Sequence, residues 1–534
     1  MARFETSVHL IHCGEKSNGK NKRKHNHHQS TVDSKADSEE DNDCETKDRL
    51  YEIQSSEIIG RYLVASRDIE QASVIFHEDA LVVGPSQDTR PLCLGCYKSL
   101  NLTTSSRCSK CKWPLCANDC PGLHTEHGHS EAECAALAKC PPPTVNDLTT
   151  HKAYNAIVPL RCLLLKSHNP AKWNILQTLE AHNSIRKKLN YIWECNQKYI
   201  VDRIRNTWKM EEHTEEEIHT VCGYLEVNAF EVGQGGISIR ALYPNVFLVA
   251  HDCTPNTSHN DNENYQLVVR AASRIKQGQL ITLSYANTLH GTLRRREHLK
   301  TAKFFDCICA RCSDPTELGT NLSSLKCPKC LKGAVLSTKP LDDKADWLCT
   351  NCSQYSVPYH TIEKLIERIQ NGLDSIGMDS VVDLENFLKK YEKVLHPQHY
   401  IMIAAKYSLS QLYGKAPGYV IHQLSDDLLM RKRDICSELL KVFDVIEPGY
   451  SRLRGVTLYE IHAPIMILFT RRFEANSIQK KEVKIELKQV IRYLREASTI
   501  LNFETENSME KIMGKAATEA LERMKDWERI IGKL

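Results

Sequence analysis

Short-spaced cysteine pairs constrain this chain more than any other feature. Among its 22 cysteines are Cys93-x-x-Cys96, Cys108-x-x-Cys111 and Cys116-x-x-x-Cys120, with histidines and Cys134 close behind. Further on come Cys307-x-Cys309-x-x-Cys312 and then Cys327-x-x-Cys330 with Cys349-x-x-Cys352. A pair on a tight knuckle presents two thiolates to one ion with little strain, and zinc wants four such ligands at about 2.0–2.3 Å. A segment as short as 93–134 has no adequate apolar core of its own, so metal binding would stabilise its fold. It carries ligands for two ions. The set from Cys327 to Cys352 has the spacing of a four-cysteine zinc ribbon; a thioredoxin-like redox pair is the alternative, and the absence of an adjoining βαβ pattern speaks against it. Cys307, Cys309 and Cys312 leave a tetrahedral ion one ligand short.

Metal is preferred over disulfides because the chain reads as intracellular. Met1 to Lys16 lacks the continuous apolar stretch of a secretory signal, and no run of about eighteen apolar residues occurs. No membrane association is expected, with a location in cytoplasm and nucleus. Lys plus Arg (70) nearly balance Asp plus Glu (67), a formal charge of +3. So even a balance offers no broad field to attract nucleic acid. The finger spacing also lacks the Cys-Cys-His-His form of DNA readers, so direct nucleic-acid binding is not expected. At 534 residues the chain has room for several cores. A monomer is expected.

Residues 14–48 are polar and charged with almost nothing apolar, and read as a disordered tail in which the Lys20 to Lys24 cluster is solvated; nuclear import is the other reading of that cluster. Strands are expected at Tyr62-Leu63-Val64 and Val74-Ile75-Phe76 and again over 237–249, 265–271 and 280–285. Between them, 143–222 reads as helices, with Ile185, Leu189, Ile192 and Tyr199 on one stripe. Beyond 359 the chain is helical: Leu384, Leu388, Tyr391 and Leu395 share a face, as do Ala516, Ala520 and Trp527. Stacked helical hairpins are expected there, without a strict repeat.

The first cysteine cluster resembles the MYND finger. That resemblance implies interleaved ligands: Cys93, Cys96, Cys116 and Cys120 for one ion, and Cys108, Cys111, a histidine and Cys134 for the other. The family's histidine position holds Ser130 here; His129 is chosen, with His127 and His124 behind it. A second series resembles the SET methyltransferase domain in the SMYD arrangement, where the finger interrupts SET. Its carriers are Gly60-Arg61-Tyr62-Leu63-Val64-Ala65, Val227-Asn228-Ala229-Phe230, Ala250-His251-Asp252-Cys253-Thr254-Pro255-Asn256, Gly278-Gln279-Leu280-Ile281-Thr282-Leu283-Ser284-Tyr285 and Cys307-Ile308-Cys309-Ala310-Arg311-Cys312.

This resemblance implies transfer of a methyl group from S-adenosylmethionine to a lysine of a histone or other protein. Tyr285 would be the catalytic tyrosine. Gly60, Arg61, Tyr62, Asn228, Ala250, His251, Tyr285 and Phe305 would line the cofactor, and Cys253 would complete the Cys307, Cys309, Cys312 site. Four closed zinc sites then leave Cys13, Cys44, Cys140, Cys162, Cys195, Cys222 and Cys436 as ordinary thiols. Tyr62 stands where a second glycine is common, Ala250 where asparagine is usual, and Gln279-Leu280 where two glutamates are frequent. These departures and the added ribbon are similar to the arthropod-type SMYD branch. A non-catalytic adaptor binding proline-containing peptides or proteins through the finger and the helical tail is the alternative function.

The implied fold is α+β: a small β-rich SET domain, interrupted by a MYND finger and a helical insert, followed by a post-SET zinc site, a zinc ribbon and an all-α TPR-like domain. The expected boundaries are a tail over 1–48, the first part of SET over 49–92, the finger over 93–134 and the insert over 135–222. The SET core follows over 223–290, then the post-SET segment over 291–320, the ribbon over 321–358 and the helical domain over 359–534.

Overall fold

Tyr51–Ser56 and Gly60–Ala65 form an antiparallel hairpin in which Tyr51 faces Ala65 and Ser56 faces Gly60. Gly60 closes its turn at φ +77°, a conformation that costs glycine nothing and strains other residues. The structure, a computed structural model, describes residues 49–57, 59–150, 152–233, 239–352, 354–377 and 379–533. The expected tail over 1–48, with Cys13, Cys44 and the Lys20 to Lys24 cluster, lies outside them.

The β-rich part is a set of small sheets, as the short strand signals imply. Val74–Glu78 pairs with Leu267–Ala271, which pairs with Thr257–Asp261. Val82–Pro85 pairs with Ile239–Leu242, which pairs with Phe230–Val232. The third element matters most for chemistry. Ala250–His251 lies parallel to Thr282–Leu283, while the residues just before the latter reach the first hairpin: Ala65 N–H donates to Gln279 O at 2.9 Å and Ile281 N–H to Leu63 O at 3.0 Å. Segment 279–283 is thus held between two strands distant in sequence, which fixes where the chain emerges at Tyr285. Leu63, Ile281 and Leu283 are almost fully buried there. The expected strand over 237–249 is shorter than its apolar run: Ile239–Leu242 is extended, and Val246–Leu248 is a 3-10 turn. Glu78 holds that turn, accepting the backbone N–H of Asn245 at 2.5 Å and of Val246 at 2.9 Å.

Between Pro85 and Phe230 the chain runs through the cysteine-rich segment and then helices, chief among them Ile157–His168 and Glu215–Asn228. The insert is helical as read, but its stripe differs: Ile185 and Leu189 are exposed, and Gln197–Val201 and Arg203–Thr207 are π-helical. The buried face is carried by Ile200, Val201, Ile204, Val221 and Leu225 instead.

After the post-SET cysteines comes a four-stranded antiparallel ribbon, Leu325–Lys326, Ala334–Ser337, Trp347–Cys349 and Ser356–Val357. Among the described residues seven α-helices follow, from Tyr359–Asp374 to Met509–Lys533, and from Val381–Tyr391 onward each packs on its successor in the chain. Serine caps begin several: Ser380, Ser425 and Ser451 accept from the backbone N–H three residues on, filling one of the donors a helix start leaves open. Leu384, Leu388, Tyr391 and Leu395 are buried together as read. In the last helix Met513, Gly514, Ala517 and Met524 are buried among the described side chains and the expected Ala520 packs against the same core, but Ala517 takes the inward place expected of Ala516; Trp527 lies outside the described side chains. Mixed α+β architecture is therefore established. Among the described residues, no helix is long and apolar enough to cross a membrane.

Candidate active site and its zinc clusters

Among the described residues, four groups of side chains bring four ligand atoms each within 4.8 Å of one another: Cys93, Cys96, Cys116 and Cys120; Cys108, Cys111, His129 and Cys134; Cys253, Cys307, Cys309 and Cys312; Cys327, Cys330, Cys349 and Cys352. A tetrahedral zinc with bonds of about 2.3 Å sets its thiolates about 3.8 Å apart. The sulfur separations match: 3.6 Å for Cys93 and Cys120, 3.6 Å for Cys108 and Cys134, 3.5 Å for Cys253 and Cys312, 3.8 Å for Cys327 and Cys352. These donor sets fit zinc. Four protein ligands apiece leave no open position, so the ions they hold are structural. In the finger, Gly95 and Gly122 let the two zinc loops touch: a Cβ on Gly122 would lie 2.0 Å from Gly95 O.

His129, fully buried, points Nε2 at Cys111 Sγ, 3.2 Å away, and Nδ1 at Glu133 Oε1, 2.6 Å away. A carboxylate behind a ligating imidazole fixes its tautomer and orientation. Glu133 is in turn gripped by Arg161 through Nε and through Nη2 at 3.1 Å. Burial opposes the Glu133 charge, yet Arg161 and His129 hold its carboxyl below the usual range. Arg161 also donates to Val83 O at 2.7 Å and to the Tyr97 hydroxyl at 2.6 Å, so one guanidinium joins finger, insert and SET sheet. Glu133 and Arg161 escape sequence reading; only the Glu133 spacing of four after His129 hints at their role. Of the spare thiols, Cys140, Cys162, Cys222 and Cys436 are buried and Cys195 partly so; burial pushes Cys140 up to about 11, as expected of an inert thiol.

At the exit of Thr282–Leu283, Tyr285 sits where the third zinc group, the Ala250–His251 strand and the post-SET segment meet. Its backbone N–H donates to His251 Nδ1 at 3.0 Å and its hydroxyl to Val249 O at 2.5 Å. Because Nδ1 accepts, the imidazole proton is on Nε2, facing Cys253 Sγ at 3.3 Å. Burial drops the His251 pKa to about 4 and pushes the Tyr285 phenol up, so both are neutral near pH 7. Phe305 completes a corner of three rings, its centroid 5.7 Å from His251 and 6.5 Å from Tyr285. The zinc group Cys253, Cys307, Cys309, Cys312 brings the post-SET segment, and Phe305 with it, onto this corner. Buried behind it, Arg295 and Arg311 share Glu317, with Arg295 Nη1 at 2.6 Å from Oε2.

The remaining expected cofactor residues are found in different states. Gly60 is exposed, and open space surrounds the place of a Cβ. Arg61 donates to Thr178 O at 3.0 Å; Tyr62 and Ala250 are half-buried. Asn228 ends its helix with Nδ2 donating to Tyr224 O at 3.0 Å, so its amide is engaged locally.

Residues 60–286, which hold the strand threaded between two others and the partly buried Tyr285 at its end, match the SET domain family. The chain is similar to the SET domain-containing protein SmydA-8, isoform B, of Drosophila melanogaster, 29% identical over 383 residues, covering 68% of this chain and 80% of that one. It is also similar to the histone-lysine N-methyltransferase Smyd1 of Mus musculus, 26% identical over 65% of this chain and 74% of that one, and to the histone-lysine N-methyltransferase ASHR1 of Arabidopsis thaliana, 26% identical over 50% and 56%. These likenesses do not single out one branch.

Proposed function

We propose that this chain is a protein-lysine N-methyltransferase using S-adenosylmethionine, with histone or other protein lysines as substrates. One observation carries the reading: within the SET-matched region the partly buried Tyr285 is held by both its N–H and its hydroxyl, beside the rings of His251 and Phe305. When bound, S-adenosylmethionine supplies an electrophilic methyl on a sulfonium. The protein's part is positioning and exclusion of water. Tyr285 would orient the incoming amine through its oxygen, the Val249 carbonyl keeping that oxygen in place. Phe305 would cover the heterocycle. Gly60, Arg61, Tyr62, Asn228, Ala250 and His251 would line the rest, mostly through backbone, since Ala250 has no polar side chain and the Asn228 amide is engaged.

Calorimetric titration of the zinc-loaded chain with S-adenosylmethionine tests the reading directly; absence of binding rejects it. The tail helices, read as TPR-like, and the boundaries given above are part of the proposal, as are the arthropod-type branch, a monomeric state and a location in nucleus and cytoplasm.

One observation favours an adaptor role besides. A cavity of about 190 Å³ lies between the finger and the SET sheet, lined by Cys96, Tyr97, Ile239, Asp261 and Tyr265 among others. Tyr97 and Tyr265 meet edge to face at 5.8 Å. Aromatic-lined grooves suit proline-containing segments. If a proline-rich peptide binds and Tyr265→Ala abolishes binding while S-adenosylmethionine is never bound, the adaptor reading replaces the enzyme.

A further inference from the structure

The corner around Tyr285 holds one more group, an amine belonging to this chain. Lys303 Nζ lies over the Tyr285 ring, 5.8 Å from its centroid, and donates to Val227 O at 2.6 Å. The lysine is half-buried. Its backbone explains why it points there. Leu299–Lys303 is π-helical, and Phe304 follows in the left-handed region at φ +62°, unusual for a bulky residue. That turn drives Phe304 against His182, ring centroids 5.3 Å apart, and sends Lys303 and Phe305 inward. An ordinary last helical turn would leave Lys303 in solvent beside Lys300, which is exposed and within 3.7 Å of Asp306. Wide helical turns and strained backbone concentrate at functional sites.

An aromatic face and a carbonyl that accepts one N–H are what a methyltransferase must offer a substrate lysine: the face tolerates the cationic and methylated forms, and the carbonyl fixes the amine so that its lone pair can be aimed. Lys303 has both already. We propose that Lys303 is a methyl acceptor in cis, modified by the site it lines. The proposal rests on the methyltransferase reading. In the step, the neutral Nζ lone pair forms a bond to the methyl carbon of S-adenosylmethionine. The carbon–sulfur bond breaks with its electrons to sulfur, leaving S-adenosylhomocysteine, and the proton lost from nitrogen passes to solvent. No other reactant is needed.

The test uses the full zinc-loaded chain with isotopically labelled S-adenosylmethionine, mass-spectrometric mapping of the methyl mark, and calorimetry of cofactor binding as a readout independent of transfer. The expected result is a mark on Lys303 and not on Lys300, appearing at a first-order rate unchanged across protein concentrations. It should fall roughly a hundredfold in Tyr285→Phe, the usual cost of losing one positioned transition-state hydrogen-bonding group, and be absent from Lys303→Arg. Reductive methylation with formaldehyde, which needs no cofactor, should modify Lys303 more slowly than Lys300. Cofactor binding without a mark on Lys303, or a rate proportional to protein concentration, overturns this proposal alone. Absence of cofactor binding overturns the methyltransferase reading with it.

Discussion

The Tyr285 hydroxyl donates to the Val249 carbonyl at 2.5 Å, so the strand end carrying the tyrosine is tied to the turn that precedes Ala250. The contact is made by a single oxygen at the site margin, not by the ring that packs on His251 and Phe305. Chemistry and stability therefore separate on one atom. Tyr285→Phe keeps the ring and removes the oxygen: methyl transfer is expected to fall roughly a hundredfold, while the loss of one hydrogen bond costs about 1 kcal/mol of stability. Transfer assays alongside thermal unfolding check this, and an unfolded variant or an undiminished rate would contradict it.

Glu133 presents the opposite case, a residue remote from methyl transfer on which much of the structure depends. It is fully buried between His129 and Arg161. In Glu133→Ala the Arg161 charge stays buried without its partner, which typically costs about 3–5 kcal/mol, and His129 loses the group that orients it. The expected outcome is one zinc fewer than the four groups predict and a marked fall in unfolding temperature. Metal analysis with thermal melts measures both.

These two residues also mark what could be read from the sequence. Cysteine ligands were legible because zinc geometry imposes short local spacings, and Tyr285 because the residues around it form an ordered series resembling SET. Cys253, far from Cys307 in sequence, was legible only through that series. Glu133, Arg161 and Lys303 were not, since a buried ion pair or an inward-turned lysine looks like any surface charge until the fold brings its partner across 28 positions or more. The last helix shows the same limit: its register turned on Ala517 against Ala516, which hydrophobicity alone does not separate.

A buried histidine gives the chain an acid-sensitive joint away from the metals. His399, only 1% exposed, caps the helix Tyr400–Leu412 by accepting Ile401 N–H at Nδ1, 3.2 Å away. Burial lowers its pKa from 6.5 to about 3. A depressed folded pKa means that the neutral form is favoured, so its contribution is complete above about pH 6.5 and is lost as pH falls toward 3. Between those limits the linkage is about 1.4 kcal/mol per pH unit. His399→Asn keeps an acceptor but cannot titrate. Denaturant unfolding of both proteins at several pH values should show the wild type losing stability relative to the variant on acidification. Parallel curves would refute the assignment.

The helical tail is expected to be inseparable from the ribbon. Leu325, Val335, Trp347 and Val357 of the ribbon share one core with Tyr391, Leu395, Ile401 and Phe443 of the tail. Backbone bonds cross the joint as well: Lys326 N–H donates to Val394 O at 2.8 Å and Tyr400 N–H to Leu322 O at 2.7 Å. The tail also reaches the SET sheet, where Tyr450 N–H donates to Ala272 O at 2.7 Å. Ending the chain after residue 358 would uncover the ribbon's apolar side and leave these groups unpaired, a combination small metal-stapled sheets do not tolerate well. The truncated protein should lose cooperative unfolding and release zinc from the ribbon first, since the ribbon alone of the four groups shares its core with the removed helices. A soluble truncated chain that keeps all four ions and methylates a wider range of proteins would show instead that the tail only restricts access.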